Sequence, residues 1–154
     1  MKSPPVVRKL EVRYRDLDTL GHVNNAVYLE YFEEIRFAYW WRMAAMIGVT
    51  EFVGGDIPGA QFVIAETTVR YKAPIELTDT VFGAARVTRI GNRSYSMEYE
   101  IRSGDSFDSG TPIATGDSAQ VFYDPKTSEV TPRPEWFLPT VAELEGRSED
   151  AFLA

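Results

Sequence analysis

The chain has 154 residues, none of which is cysteine and only one of which is histidine. The lack of cysteine excludes disulfides, thiolate metal sites and a cysteine nucleophile. A lone histidine without cysteine also argues against a zinc site, which needs several nitrogen or sulfur ligands. We therefore expect neither a bound metal nor another cofactor.

Basic residues are scarce as well. Sixteen Lys and Arg stand against 23 Asp and Glu, which gives a formal net charge of -7. Binding to nucleic acid relies on a basic surface, so we expect no nucleic-acid partner. The sequence also lacks an apolar run of membrane-spanning length, and no signal-like apolar segment precedes Arg8. We therefore expect no membrane contact and a cytoplasmic location.

Hydrophobic periodicity predicts one strand followed by one long helix. Apolar residues alternate with charged ones from Leu10 to Tyr14, which is typical of a half-buried strand. From Asn24 or Asn25 to about Gly48 they recur every three or four positions, as on a helix, with Asn as the cap and Gly48 as the end. Rings also occupy a second face of this helix, so we expect other structure to enclose most of it; these are Tyr31, Phe37, Trp40 and Trp41.

The rest of the chain is dominated by strand patterns. Four strands are predicted at about residues 63–72, 80–90, 94–102 and 113–123. Turn residues predict a loop at Gly54-Gly55 and Pro58-Gly59 and a hairpin turn at Gly91-Asn92, and a short helix is expected around Thr140 to Glu145. This order predicts one α+β domain over 1–154: an antiparallel sheet of about five strands wrapped around one long central helix. Its core spans about 6–124, the tail 125–154, and its open sheet edges favour dimerisation.

The densest cluster of chemically useful residues lies just before the helix. Asp16, Asp18, Gly21 and His22 are followed by the amide pair Asn24-Asn25. A carboxylate beside a helix start can act as a base or nucleophile, and the free N–H groups of the first helical turn can polarise a carbonyl. The pattern therefore favours acyl transfer.

Simpler interpretations exist for the same residues. Asp18 and His22 could be turn residues, and Asp16 is expected to be structural, bonding turn amides. An EF-hand loop counted from Asp16 would place Leu20 and Val27 at positions that need oxygen ligands, which argues against calcium.

The stretch Asp16-Leu17-Asp18-x-x-Gly21-His22-Val23-Asn24-Asn25-x-x-Tyr28, with the aromatic helix and Val69-Arg70-Tyr71-Lys72-Ala73-Pro74, resembles the hotdog-fold acyl-CoA thioesterases of the 4-hydroxybenzoyl-CoA thioesterase family. This resemblance covers roughly Leu10 to Tyr123. It implies a hotdog fold and a homo-oligomer, a dimer or a homotetramer built as a dimer of dimers, with active sites at the subunit interface. The stretch is also similar to plant acyl-carrier-protein thioesterases, which have Asn where this chain has Leu20.

The resemblance implies roles for individual residues. Asp18 matches the catalytic aspartate, as general base or nucleophile, with His22 and the backbone at Asn25 as further catalytic candidates. The candidate contacts to the acyl-CoA substrate are Asn24, Tyr28, Glu66, Arg70, Lys72, Arg89, Arg93 and Ser94. The cations among them would hold the phosphates of coenzyme A, although a solvated strand surface explains them equally well.

The predicted function is hydrolysis of an acyl thioester to a free acid and CoA. Two alternatives stay open. A hotdog hydratase or dehydratase would pair a His with an acid on the helix, where Glu33 and Glu34 lie, although His22 precedes the helix. A non-catalytic acyl-CoA-binding protein would bind the ester without turnover.

Overall fold

The computed structural model describes residues 1–50, 57 and 59–153. The strands are β1 Val6–Leu10, β2 Phe62–Tyr71, β3 Val81–Ile90, β4 Ser94–Ser103, β5 Thr111–Asp124 and β6 Glu129–Val130. The α-helices are α1 Val27–Met46 and α2 Phe137–Glu145, and 3-10 turns span Tyr14–Asp16 and Glu149–Phe152. Of the predicted loop, Gly54, Gly55 and Pro58 lie outside the described residues. No helix in the described ranges is long and apolar enough to cross a membrane.

The strands form one antiparallel sheet in the order β1-β3-β4-β5-β2, and the short β6 pairs with the end of β5. Helix α1 packs on this sheet through a row of buried side chains that includes Tyr31, Phe32, Ile35, Tyr39 and Met43. Two strand glycines permit the close approach, because an added Cβ at Gly83 would collide with Ile35 and one at Gly116 with Phe32. The helix and the sheet therefore share one apolar core.

Most of the predicted elements are confirmed. Strands β2 to β5 begin and end within about two residues of the predicted ranges, and Gly91-Asn92 joins β3 to β4. The expected short helix is α2, which begins three residues earlier than predicted. The sheet has six strands rather than about five because two residues after β5 pair back onto it.

Three details of the prediction are wrong. The first strand ends at Leu10, because the alternating segment beyond it turns into the 3-10 turn that ends at Asp16. Helix α1 starts at Val27 after Ala26, so neither asparagine is its cap. The helix is also less enclosed than expected, since Phe37 and Trp41 are each 48% exposed.

The turn before α1 is fixed by the buried carboxylate of Asp16. One of its oxygens accepts hydrogen bonds from the Arg13 amide (2.8 Å) and Arg13 Nε (3.2 Å), and the other from Arg13 Nη2 (3.1 Å). Tyr31 Oη of α1 donates to the same carboxylate at 3.5 Å. Burial alone would raise the pKa of Asp16, but the hydrogen bonds from Arg13 outweigh it and hold this pKa below its usual value. The expectation that Asp16 is structural agrees with these contacts.

The C-terminal segment is tied to the core by a second buried carboxylate. Glu145 Oε1 at the end of α2 accepts hydrogen bonds from Tyr39 Oη (2.8 Å) and from the Val87 amide (2.9 Å). Strand β3 is irregular at this point, where its register against β4 shifts between Val87 and Arg89. A bulge leaves a strand amide without its ladder partner, and Glu145 supplies the acceptor.

Replacing Asp16 with Asn should destabilise the fold by about 2 kcal/mol at pH 7, less than for a fully buried pair because the Arg13 side chain is 33% exposed. Since the carboxyl has a lower pKa in the folded state, its stabilising contribution is full above the unfolded pKa and is lost as pH falls through the folded pKa. Thermal unfolding between pH 7 and pH 3 should thus show a smaller loss of Tm for Asp16→Asn than for wild type.

The exposed Asp105 provides the control, because Asp105→Asn should follow the wild type over the whole pH range. An identical pH dependence for all three proteins would contradict the role given to Asp16.

Candidate active site

The candidate site is built on the segment from Asp16 to Asn24, which folds back on itself. The Asp18 amide donates to the His22 carbonyl (2.7 Å), and the Asn24 amide donates to the Asp16 carbonyl (2.8 Å). Between them Gly21 adopts a φ of +82°, a left-handed conformation that suits glycine in a tight turn. The Val23 amide bonds to the Ile75 carbonyl (2.8 Å), so the loop is also fastened to the segment between β2 and β3.

The Asp18 carboxylate is half-buried at the tip of this loop. Its Oδ1 accepts hydrogen bonds from the backbone amides of Leu20 (2.9 Å) and His22 (3.3 Å). Its Oδ2 has no hydrogen-bond donor in the described ranges. One oxygen therefore fixes the side chain while the other stays available for a water or substrate atom.

The loop leads directly into the start of α1. Asn24 Oδ1 accepts from the Ala26 amide (2.9 Å), and the Asn24 carbonyl accepts from the Val27 amide (2.9 Å). Asn24 thus accepts hydrogen bonds from two amides of the turn that precedes the helix, as a capping residue would, although it lies two residues before the cap position. The Asn25 amide has no acceptor among the residues described, so it can donate to a substrate oxygen.

Two tyrosines close the space between the helix start and strand β2. Tyr71 at the end of β2 donates its hydroxyl to the Asn25 carbonyl (2.8 Å) and meets the buried ring of Tyr28 edge-on at 4.8 Å. Burial raises the pKa of Tyr28 to about 12, so its phenol stays protonated and neutral. Tyr71 was not among the predicted site residues, because the strand alternation gave no sign of this contact.

His22 lies in the same loop as Asp18. Its backbone forms an isolated antiparallel bridge with Glu76, and its side chain is half-buried. The imidazole makes no hydrogen bond to any described residue, so the geometry gives it a position beside Asp18 but no fixed partner.

The remaining predicted residues fall into two groups. Arg70 and Lys72 lie at the Tyr71 end of β2, where Arg70 forms an ion pair with Asp117 (2.5 Å), and Glu66 lies nearer the middle of this strand. Arg93 and Ser94 lie at the hairpin between β3 and β4, level with Phe62 and Val63 of β2, and Arg89 lies near the hairpin on β3, level with Glu66. A single chain therefore brings together Asp18, His22, Asn24, Asn25 and Tyr28 but leaves the hairpin at the far end of the sheet.

Five cavities of the described chain lie elsewhere, and Asp18 lines none of these five. The one with the most aromatic wall, about 300 Å³, lies between α1 and β2 and is bounded by Glu33, Arg36, Phe37, Trp40, Ala60, Phe62 and Ile64. Sequence patterns did not reveal it because it depends on which strand borders the helix. In the described part of the chain, no group of three or more Asp, Glu or His side chains is placed to hold a metal ion.

Comparison with known proteins relates this geometry to a family. The model of the thioesterase-like superfamily matches residues 12–141, most of the chain. Comparison with curated proteins gives no match.

Solved structures agree with the family match. A thioesterase from Thermus thermophilus, crystallised with coenzyme A and Zn, is 34% identical with a TM-score of 0.77 over 96% of this chain and 100% of that one. The gentisyl-coenzyme A thioesterase BH1999 is 23% identical (TM-score 0.70, covering 85% and 98%), and YbaW, a probable thioesterase from Escherichia coli, is 21% identical (0.67, covering 90% and 98%).

The last two similarities support the fold alone, whereas the Thermus protein and the family model support the family. The predicted hotdog layout, a sheet with one long helix packed on it, is confirmed. The prediction of a thioester hydrolase is confirmed at the level of the family, and the chain belongs to the thioesterase-like superfamily.

Proposed function

We propose that the protein hydrolyses acyl-CoA thioesters with Asp18 as general base or nucleophile. The observation that carries this assignment is the Asp18 carboxylate itself, which two backbone amides hold through Oδ1 while Oδ2 has no described partner. The similar Thermus thermophilus thioesterase was solved with coenzyme A, which supports a CoA ester as substrate. Asp18 lies in the loop that leads into the start of α1, where backbone N–H groups favour developing negative charge.

In the general-base route, Asp18 Oδ2 takes a proton from water as the water oxygen bonds to the thioester carbon. The carbonyl oxygen becomes an oxyanion, and the free Asn25 amide is a donor for it. When the oxyanion collapses, the C–S bond breaks and the CoA sulfur takes the proton from Asp18, which leaves a free acid and a thiol. In the nucleophilic route, Oδ2 itself attacks the carbon and the C–S bond breaks, which releases CoA as a thiolate and leaves a mixed anhydride on Asp18. Water then hydrolyses the anhydride to the free acid and the Asp18 carboxylate, and the proton released neutralises the thiolate.

We further propose that two copies of the chain pair along strand β2. This strand ends the sheet order, so one of its edges has no neighbouring strand among the residues that the structure describes. It also exposes large apolar side chains, with Val63 at 44%, Ile64 at 41% and Tyr71 at 48%. A long apolar edge strand in a stable protein is expected to be covered, and a second β2 strand fits it by symmetry.

Antiparallel pairing of two β2 strands about a two-fold axis near Thr67 would bring opposite ends of the two sheets together. The Tyr71 end of one copy, with Asp18 nearby, then faces the Phe62 end of the other. The hairpin that carries Arg93 and Ser94, with Arg89 near it, lies at that second end. In this dimer the hairpin arginines of one copy can bind the phosphates of a CoA ester whose thioester lies at Asp18 of the other copy. Within a single chain they are too far from Asp18 to do so.

Asp18→Asn should lower kcat for thiol release from an acyl-CoA by about 10²- to 10⁴-fold, since it removes the base but keeps an oxygen for the loop amides. Release of CoA is measured with a colorimetric thiol reagent, and thermal unfolding checks that the fold is intact.

The control is Asp150→Asn. Asp150 is exposed in the 3-10 turn Glu149–Phe152, which packs against β3, three strands away from β2 in the sheet order. Near-normal turnover of Asp18→Asn, or an equal loss in Asp150→Asn, would rule out the catalytic assignment.

Thr67→Pro should convert a dimer into a folded monomer. The Lys72 amide bonds to Ile113 on β5, so alternation along β2 turns the N–H of Thr67 toward the open edge. Proline removes that donor without breaking the β2–β5 ladder, whereas Thr67→Ala keeps it and should remain dimeric. Light scattering coupled to size-exclusion chromatography gives the mass, and a monomeric wild type or a dimeric, folded Thr67→Pro protein would contradict the proposed pairing.

A further inference from the structure

The cleft of about 300 Å³ between α1 and β2 has the chemistry of a binding site. Its walls are mainly apolar, with the Trp40 ring stacked on Phe62 at 5.3 Å and Ile64 beside them. Two charged side chains, Glu33 and Arg36, share the lining. Apolar walls with a few polar groups are typical of sites for small organic ligands.

Arg36 is the unusual member of this lining. It is half-buried, and its Nη1 donates to the Tyr99 hydroxyl at 3.2 Å. It forms no ion pair with any described carboxylate. A guanidinium has five N–H donors, so most of its hydrogen-bonding capacity is unused within the chain. A partly desolvated cation of this kind fits a ligand oxygen.

A row of polar groups continues inward from Arg36. The Tyr99 hydroxyl lies 2.7 Å from Ser118 Oγ, to which the Gln120 side-chain amide also donates. Gln120 is fully buried, and its Oε1 has no hydrogen-bond partner in the described structure. It is opposite Ile64 of the cleft wall in the β2–β5 register. Burying a polar group without a hydrogen-bond partner costs free energy, so this row of buried polar groups calls for a functional explanation.

The cleft is separated from Asp18 of its own chain. The Tyr28–Tyr71 contact and the hydrogen bond from Tyr71 to Asn25 lie between the helix start and β2. Phe62 and Ile64 lie at the other end of β2 from Tyr71, roughly 25 to 30 Å away at the rise of an antiparallel strand. In the two-fold dimer proposed above, however, this end faces Asp18 of the partner subunit.

We propose that the α1–β2 cleft holds the acyl group for Asp18 of the partner subunit, and that Arg36 selects acyl groups ending in an oxygen acceptor. This inference rests on the proposed thioesterase function. The apolar walls take the body of the acyl group, and the guanidinium takes a hydroxyl or carboxylate at the end remote from the sulfur. Glu33 in the same lining balances the charge of Arg36, so the cleft has no net charge. A hydroxyl and a carboxylate therefore meet the same requirement, which is an oxygen that accepts a hydrogen bond from Arg36.

Three esters of equal chain length test the selectivity: hexanoyl-CoA, 6-hydroxyhexanoyl-CoA and adipoyl-CoA. Wild type should show a kcat/KM at least about tenfold higher for one or both oxygen-bearing esters, and which of them is preferred distinguishes hydroxyl from carboxylate. Arg36→Met should bring that ratio to about 1, through a loss of kcat/KM on the oxygen-bearing esters.

Arg42→Met is the control, because Arg42 is an exposed residue of the same helix outside this cleft. A wild type without preference, or an Arg36→Met variant that loses activity equally on all three esters, would overturn the selectivity. If wild type releases CoA from none of them, the thioesterase function itself fails. Calorimetric binding of the three esters to Asp18→Asn and to Asp18→Asn/Arg36→Met then still decides whether Arg36 recognises the oxygen.

Mixing Asp18→Asn with Arg36→Met tests whether the site spans two subunits. After subunit exchange, half of the dimers combine an intact Asp18 with an intact cleft across the interface, so the preferred ester should be hydrolysed at about a quarter of the wild-type rate. If Asp18 and the cleft act within one chain, the mixture should reach only about a twentieth, the residual activity of Arg36→Met subunits. The lower value would overturn the arrangement across the interface.

Discussion

The buried carboxylate of Asp16 is the interaction on which the rest of the site depends. It binds Arg13 on the approach to the loop and receives Tyr31 from the helix, while its backbone carbonyl accepts the Asn24 amide where the loop closes. One residue thus joins the incoming chain, the loop and α1. The position of Asp18, two residues later, follows from this joint, because the loop between the fixed ends is only seven residues long.

A catalytic group fixed in this way is still only part of an enzyme. Within one chain the Asp18 carboxylate is anchored by backbone amides, but Asp18 lines none of the five cavities described above. Among the described residues, one edge of the sheet has no neighbouring strand, and the rings of Phe37 and Trp41 are half-exposed. These features have one common explanation if the functional unit contains two chains. The chemistry would then be supplied by the loop of one and the binding surface by the helix and edge strand of the other.

The sequence predicted those parts of the structure that depend on local pattern. Alternation located strands β2 and β4, and the motif around Asp18 located the loop, because side-chain periodicity and turn residues act over a few positions. The first strand was misplaced because the half-buried Arg13 binds the buried carboxylate of Asp16, and alternation cannot distinguish such a contact from a solvated face. The role of Tyr71, the pairing of β2 with β5 and the cleft at Arg36 all require contacts between distant segments. No pattern within one segment encodes them.

The contacts of Glu145 link the packing of α1 and β3 to the segment that follows them in the sequence. Its carboxylate satisfies the Val87 amide at the irregular point of β3 and the hydroxyl of Tyr39 in the middle of α1. Burial raises the pKa of Glu145, so this acceptor works in a largely dry environment. Until the chain has been extended to Glu145, both donors lack their acceptor. A product truncated before Glu145 should therefore leave β3 and α1 without their final packing, so that completion of the core depends on this residue.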